Sequence, residues 1–380
     1  MRHQNSVFHS VLKHLPWDAF EQLVEQHGSD RRQRGFKAKT HLVALLYGQL
    51  SGAQSLREIV TGLTSHELQR YHLGIGEVHR SSLAEANAQR RSVLFSDLLA
   101  RLMKQAHRGL RRKLGGAVYL IDSSTLPLNA RSTQWARFSA EVCGAKMHII
   151  YDPDADQPIY SAVTASNAHD ITAAKAMPIE AGATYVFDLG YYDYAWWAAL
   201  DAQGCRIVTR FKRNTPLTVT ETRSVPPGGN VLSDRIGHLP ARQAKNRKNP
   251  FHKAVREVQV KIDTGKVLRI FTNDLDAPAQ EIADLYKRRW AIELFFRWVK
   301  QTLRITHFLG TSENAARIQV AVALIAFLLL RLAQATQTAV LSPLLFARLV
   351  RANLMHRRDV RTLLKSNPAS SSNHDQLVLI

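Results

Sequence analysis

Cysteine is nearly absent: Cys143 and Cys205 are the only two in 380 residues. Two thiols so far apart exclude a zinc module or a disulfide framework and suit a reducing compartment, so any bound metal must be held by oxygen. Long apolar runs are also missing. The longest, VAVALIAFLLL at residues 320–330, falls short of the roughly 20 residues a membrane span needs. It reads as a buried core helix, and no membrane partner is expected. The first twenty residues carry no apolar stretch of the signal-peptide kind, which points to a cytoplasmic protein. Negative charge is scarce too. Lys and Arg outnumber Asp and Glu by 51 to 31, a formal charge of +20, and such an excess selects a polyanion: DNA, RNA or an anionic membrane surface.

What is present is a chain with core-forming material, 45% hydrophobic residues, and length enough for two or three domains. No internal repeat is evident. Residues 1–110 read as helices, among them SVFHSVLKHLPWDAFEQLVEQH, KTHLVALLYGQLSG and LFSDLLARLMKQAHRGL, divided by turn signals. Ser81 or Ser82 could N-cap a helix beginning LAEANAQRR. With Arg80, Arg90 and Arg91 that helix is either a DNA reader or the solvated face of a helical bundle.

From residue 116 the period changes. AVYLID, KMHIIYD and IYSAVTA read as three strands, HDITAAKAM as a helix with Asp170 at its N-cap, TYVFD as a strand, YDYAWWAALDAQG as a helix and CRIVTRF as a strand. That order describes an α/β fold, a mixed sheet with helices packed on it. Residues 213–264 read as a β-rich insertion of three strands, interrupted by Pro226-Pro227-Gly228-Gly229 and the basic segment RQAKNRKNPFHK. Arg242, Lys245, Arg247, Lys248, Lys253 and Arg256 there suit phosphate, or form a solvated loop. VLRIFTN returns to the core, residues 336–380 read as a short helical tail, and the Ser/Asn-rich SNPASSSNHD as disordered.

The segment YKRRWAIELFFRWVK, residues 286–300, holds no Gly, Pro, Asn or Ser and reads as one helix. At roughly 100° per residue, Tyr286, Arg289, Glu293 and Lys300 fall within a stripe about 60° wide, while most large apolar residues cover the remaining circumference. A carboxylate flanked by a guanidinium, an ammonium and a phenol on a helix suited to burial marks a site, because charges are rarely buried without partners or a task. One Glu cannot hold a catalytic cation. Two core strands supply candidates by ending in Asp122 and Asp188, where carboxylates on neighbouring strands, with Glu293 packed over them, can share two Mg²⁺ ions.

Tyr286, Arg289, Glu293 and Lys300 at these spacings match the Y-R-E-K signature, and the chain resembles the insertion sequence four family of DDE transposases over nearly its whole length. The resemblance implies a ribonuclease H-like mixed-sheet core at 111–335, interrupted by the β-rich insertion, preceded by an all-helical DNA-binding domain at 1–110 and followed by the tail. It implies that Asp122, Asp188 and Glu293 bind two Mg²⁺ ions, with Mn²⁺ as a substitute, and that Tyr286, Arg289 and Lys300 hold double-stranded transposon-end DNA. A homodimer on DNA, joining transposon ends to target DNA at the nucleoid, is the implied assembly. Ser123-Ser124-Thr125 match the hydroxyl-rich stretch after the first Asp of the family, and His169-Asp170 a His-Asp pair. Relatives that cut through a hairpin stack a flipped base on a Trp in the insertion. Here the insertion has no Trp, and Phe251 is its only aromatic residue. The rival readings are a catalytically inactive relative that only occupies DNA and a general ribonuclease H-like nuclease. A two-carboxylate glycosidase fits worse, since the flanking cations and the +20 charge favour phosphate over a neutral sugar.

Overall fold

The computed structural model describes residues 5–31, 35–110, 116–128, 132, 135, 143–303, 305, 308–359 and 363; the Ser/Asn-rich SNPASSSNHD lies outside them. The chain groups into two compact units, residues 1–98 with 321–380, and residues 99–320.

In the first unit, the expected opening helix is two: α1 (Val7–Leu12) and α2 (Trp17–Gln26). Pro16 separates them, because proline suits the start of a helix and not its interior. Helix α3 (Ala38–Ser51) is buried on nearly every side and stops at Gly52, whose φ of 82° is the left-handed conformation glycine tolerates best. Helices α4 (Leu56–Thr64), α5 (Glu67–His72) and α6 (Arg80–Gln89) follow, then α7 (Val93–Leu110), whose residues from Leu99 on are counted with the second unit. Helix α6 starts earlier than the sequence suggests: its N-cap is His79, and neither Ser81 nor Ser82 caps it. Arg90 is buried, donating to Asp30 at 3.3 Å and to the Phe36 carbonyl at 3.0 Å. It braces this unit and is not presented to DNA, whereas Arg80 and Arg91 are exposed. The C-terminal residues are built into the same unit. The amides of Val7 and Phe8 donate to the carbonyls of His356 and Leu354 at 3.0 and 2.7 Å, and Arg351 donates to the Leu50 carbonyl at 3.1 Å.

The second unit is organised by one nine-stranded sheet in the order β3-β2-β1-β4-β5-β11-β10-β7-β6. Its first five strands are β1 (Val118–Leu128), β2 (Cys143–Asp152), β3 (Gln157–Ala165), β4 (Thr184–Phe187) and β5 (Arg206–Arg210). Strand β1 runs antiparallel to β2 and parallel to β4, and β4 parallel to β5. This is the ribonuclease H-like core. Helix α8 (Asp170–Ala174) lies between β3 and β4 in the chain, and α9 (Tyr194–Ala202) between β4 and β5. The insertion does not stand apart. Strands β6 (Thr218–Arg223), β7 (Val231–His238) and β10 (Val255–Lys261) join the core sheet through β11 (Val267–Thr272), and only β8 (Arg242–Ala244) and β9 (Arg247–Lys248) form a separate hairpin.

The register decides where the carboxylates lie. Asp122 does not end its strand, since β1 pairs with β2 as far as Leu128. The parallel pairing with β4 stops at Ile121 opposite Phe187, so Asp122 and Asp188 are the next residues on both chains, carried by strands about 4.8 Å apart. Below them sits an aromatic core. Phe187 packs against Tyr191 and Trp196, and Trp197 stacks on Phe271 with ring centroids 4.4 Å apart. Each such fully buried ring contributes about 1.5–3 kcal/mol from burial, which anchors the end of β4.

The stretch expected as one helix is divided. Helix α10 (Ala279–Arg288) and helix α11 (Trp290–Thr302) meet at Arg289. The backbone tightens there to bonds three residues apart, Arg289 N to Tyr286 O at 3.1 Å and Ile292 N to Arg289 O at 3.2 Å. Arg289 keeps helical angles, φ −53° and ψ −28°, so the polar stripe survives the break. Helix α12 (Glu313–Ala335) is long and apolar enough to cross a membrane by length and composition, yet 78% of its most apolar stretch is buried inside the protein. Helix α13 (Pro343–Ala352) follows it.

Candidate active site

Asp122 and Asp188 meet where β4 ends, and Glu293 and Arg289 reach them from the α10–α11 junction. The Asp122 carboxylate accepts from the Ser123 amide at 2.8 Å and from Arg289 at 3.3 Å. The other arm of the Arg289 fork donates to Glu293 at 2.5 Å. Asp188 is the N-cap of a short 3₁₀ turn (Leu189–Tyr191), its side chain accepting from the Gly190 amide at 2.7 Å. A Cβ on Gly190 would lie 3.0 Å from the Asp188 carboxylate and 3.3 Å from that of Asp170, so only glycine leaves these two acids room.

Asp122 senses the other two acids. Burial pushes the Asp122 carboxyl up to about 7; the Ser123 amide and Arg289 work against that rise, while the charges of Asp188 and Glu293 add to it. A half-buried carboxyl facing two further carboxylates is a site with surplus negative charge, which a cation relieves. In this structure the cation is Arg289. Among the described residues no group of three or more His, Cys, Asp or Glu side chains is gathered closely enough to hold a metal ion. The donor set nevertheless suits a hard divalent cation, being three carboxylates without sulfur or imidazole.

Tyr286 is buried and Lys300 partly so. The Tyr286 ring is 7% exposed and lies beside Arg210 and Arg289, whose guanidinium carbons are 6.0 and 5.9 Å from its centroid. Burial raises its pKa, and its hydroxyl has no hydrogen-bond partner of good geometry among the described residues, although Arg289 lies near. Lys300, two turns beyond Glu293 on α11, has no ion-pair partner among the described residues, and burial lowers its pKa. The structure thus brings Asp122, Asp188, Glu293, Arg289 and Tyr286 together and leaves Lys300 at the edge.

Around the acids are groups that sequence patterning assigned weakly. Asp170 is the first residue of α8, not its cap, which is His169. Its carboxylate accepts from Ser123 at 2.8 Å and from Lys146 at 3.2 Å. The Tyr191 hydroxyl is buried close enough to Asp122, Asp170 and Asp188 for their charges to hold it well above its ordinary pKa, after burial itself. In the insertion, Arg256 is buried and pairs with Asp234 through both ends of its fork at 2.8 and 2.7 Å. It is therefore a structural arginine and leaves the expected phosphate-binding set. Arg242, Lys245, Arg247, Lys248 and Lys253 remain exposed.

Comparison with known proteins agrees with this architecture. A transposase DDE domain is recognised over residues 113–329 and a domain of unknown function over residues 3–76. A protein of Sinorhizobium fredii (strain NBRC 101917 / NGR234) described as the transposase y4zB is 37% identical over 294 residues, 76% of this chain and 81% of that one. A protein of Geobacillus stearothermophilus described as the transposase for insertion sequence element IS5377 is 29% identical over 262 residues, 68% of each chain. The piggyBac transposase synaptic complex with hairpin DNA, solved by cryo-electron microscopy, aligns with 97% of this chain and 84% of that chain at 11% identity and a TM-score of 0.49, too slight a likeness to place any residue.

The sheet has the ribonuclease H-like strand order, and the matched domain and relatives make the chain an enzyme acting on DNA. The chain belongs to the DDE transposases, of the insertion sequence four type, which bind DNA, cleave it and transfer its ends. The family generally uses divalent metal ions.

Proposed function

We propose that this transposase binds the terminal inverted repeats of its own insertion sequence, hydrolyses the DNA to free a 3′-OH, and joins that end to target DNA by in-line attack. It does so as a homodimer assembled on DNA in the cytoplasm, at the nucleoid, because two ends must be cut and joined together. The observation that supports this reading is the approach of Asp122 and Asp188 on adjacent parallel strands with Glu293 close enough for its charge to act on Asp122. Those three carboxylates would hold two Mg²⁺ ions, or Mn²⁺ in their place, which when bound supply activation of the attacking hydroxyl and stabilisation of the leaving oxygen. The chain's own residues do the rest. The β1–β4 register fixes two of the acids, α11 brings the third, and Arg289 and Lys300 offer phosphate a fork and a point charge.

Incubating the purified chain with Mg²⁺ and duplex carrying the element's own ends tests this directly. We expect nicks confined to the transposon–flank boundary and none in random duplex. Uniform cutting of both would instead indicate a general nuclease, and end binding without cutting an inactive relative.

Residues 1–110 are proposed to recognise the repeats, and residues 111–335 to carry the chemistry, with 336–380 as a supporting segment. The expected result is that Arg80→Ala combined with Arg91→Ala lowers the preference for end DNA over random duplex, measured by competition binding. Affinity of the parent should drop at least about tenfold between roughly 50 and 200 mM salt. An unchanged preference in the double variant would move recognition to the basic hairpin of β8 and β9.

On the catalytic helices, Arg289→Ala and Lys300→Ala are each expected to weaken the end complex about tenfold, the worth of a charged hydrogen bond, and to scatter the cleavage position. Arg289→Ala should bind Mn²⁺ at least as tightly as the parent in the absence of DNA, because the cation now pairing Asp122 and Glu293 is gone. If it lost Mn²⁺ as completely as Glu293→Gln, Arg289 would be a brace for the carboxylates and not a DNA contact.

A further inference from the structure

We propose that Asp170 is a positioning residue of the phosphoryl-transfer site, acting through Ser123 to fix the carboxylate of Asp122. The inference rests on the functional reading above and adds a residue to its machinery.

The geometry is a relay. Ser123 is shared between two acids: its amide donates to Asp122 at 2.8 Å and its hydroxyl to Asp170 at 2.8 Å. A serine hydroxyl can rotate freely when unbound. Held by Asp170, it locks the side chain and with it the turn of backbone whose amide orients Asp122. Asp170 is itself held, accepting from Lys146 at 3.2 Å, with His148 at 3.9 Å. Lys146 also donates to the Ala168 carbonyl at 3.1 Å, which ties the residues before α8 to β2. Burial lowers the pKa of His148, with the charge of Asp170 working in the opposite direction, so the dependable cation on Asp170 is Lys146.

Helix capping does not account for this arrangement. Asp170 begins a five-residue helix whose N-cap is His169, and its carboxylate is directed toward β1 and β2, to Ser123 and Lys146. Ser123 lies 47 residues away in sequence.

A second, independent observation points the same way. Tyr191 is 1% exposed, and its hydroxyl has no hydrogen-bond partner of good geometry among the described residues, although Ser123 lies close enough to influence it. A buried hydroxyl normally finds a partner. This one is set among Asp122, Asp170 and Asp188 and beside the Ser123 side chain, so it packs against the relay itself. Asp170, Ser123 and Tyr191 thus form one cluster beside Asp122, and Arg289 braces the same carboxylate from α11. Supporting shells of this kind hold reacting groups in register.

The test is a double-mutant cycle on the full-length chain with end DNA and Mg²⁺, using Asp170→Ala, Ser123→Ala and the pair. Each single variant should lower kcat by about 10–100-fold and leave KM for end DNA within about twofold, since the relay holds a carboxylate and not a phosphate. The pair should be no more than about threefold slower than Asp170→Ala, because both changes break one relay. Asp170→Asn keeps an acceptor oxygen for Ser123 and should recover most of the rate. The Mn²⁺ spectrum of the DNA-free protein, read by electron paramagnetic resonance, should broaden in Asp170→Ala and return in Asp170→Asn. Losses that multiply in the pair, or a parental kcat in Asp170→Ala, would overturn the relay. Should Asp170→Ala fail to fold, Ser123→Ala and Asp170→Asn, which remove little volume, decide the matter by the same kcat and spectrum. A parent that cuts no end DNA would overturn the transposase reading, and this inference with it.

Discussion

Asp188→Asn is expected to reduce end cleavage at least about a thousandfold, the rate equivalent of the several kcal/mol that metal-assisted stabilisation of a phosphoryl-transfer transition state supplies. Asp122→Asn and Glu293→Gln should match it. End binding should stay within about twofold of the parent, because phosphate affinity is carried by cations and by the helical segment, not by carboxylates. The fold should survive Asp188→Asn, since an amide oxygen can still accept from the Gly190 amide, a bond of 2.7 Å in the parent. Near-normal Mg²⁺-dependent cutting by any one of the three variants would remove that residue from the site. A loss of cutting accompanied by an equal loss of end binding would mean that the acid shapes the DNA surface instead.

The second large effect is on stability against pH in metal-free protein. Asp122 has an ordinary value of 3.8 and stands near 7 in the folded chain, chiefly through burial. Its folded-state pKa is raised, so folding favours the protonated form. Below pH 3.8 the group is neutral whether folded or unfolded and has no effect. As pH climbs from 3.8 to about 7 the unfolded chain ionises freely while the folded one resists, and stability falls. Above about 7 the full cost is present, at most about 4 kcal/mol. Thermal melts of metal-free protein should therefore show the parent losing stability between pH 3.8 and about 7 relative to Asp122→Asn, which has no charge to bury. Mg²⁺ added at about pH 8 should raise the parent's Tm and leave that of Asp122→Asn nearly unmoved, because a ligand stabilises the state that binds it. Parallel pH profiles for the two proteins would show that Asp122 is not held in the electrostatic environment described.

Glu293, Asp122 and Asp188 were legible in the sequence for a local reason. Each interrupts or ends an apolar pattern, of helical period in one case and strand-like in the others, and a carboxylate in such a place stands out. The order of strands was legible too, as a mixed sheet with helices packed on it, and the resemblance to the family supplied its ribonuclease H-like character. What sequence could not supply was pairing at long range. Asp122 lies in the middle of β1 and is exposed to the site only because β4, some 60 residues later, stops beside it. The strands of the insertion were each recognisable, yet nothing local says that β10 will pair with β11 and extend the core sheet. The same limit explains the misread cations. Arg90 and Arg256 sit in basic segments that look solvated, and their partners Asp30 and Asp234 are 60 and 22 residues distant. Asp170 was visible as the start of a helix and as part of a His-Asp pair, but not as a partner of Ser123 and Lys146, which reach it across the sheet. The bond from Arg289 to Asp122, which spans 167 residues, was hidden for the same reason.

The central claim is that divalent ions held by Asp122, Asp188 and Glu293 contact the scissile phosphate, and sulfur substitution at that phosphate measures it most directly. With one non-bridging oxygen of the cleaved bond replaced by sulfur, cutting in Mg²⁺ should fall at least about tenfold, because a hard cation coordinates sulfur poorly. Mn²⁺, which accepts sulfur more readily, should restore the rate in the parent and not in Asp188→Asn. Equal cutting of the oxygen and sulfur substrates in Mg²⁺, for both configurations at phosphorus, would contradict the account.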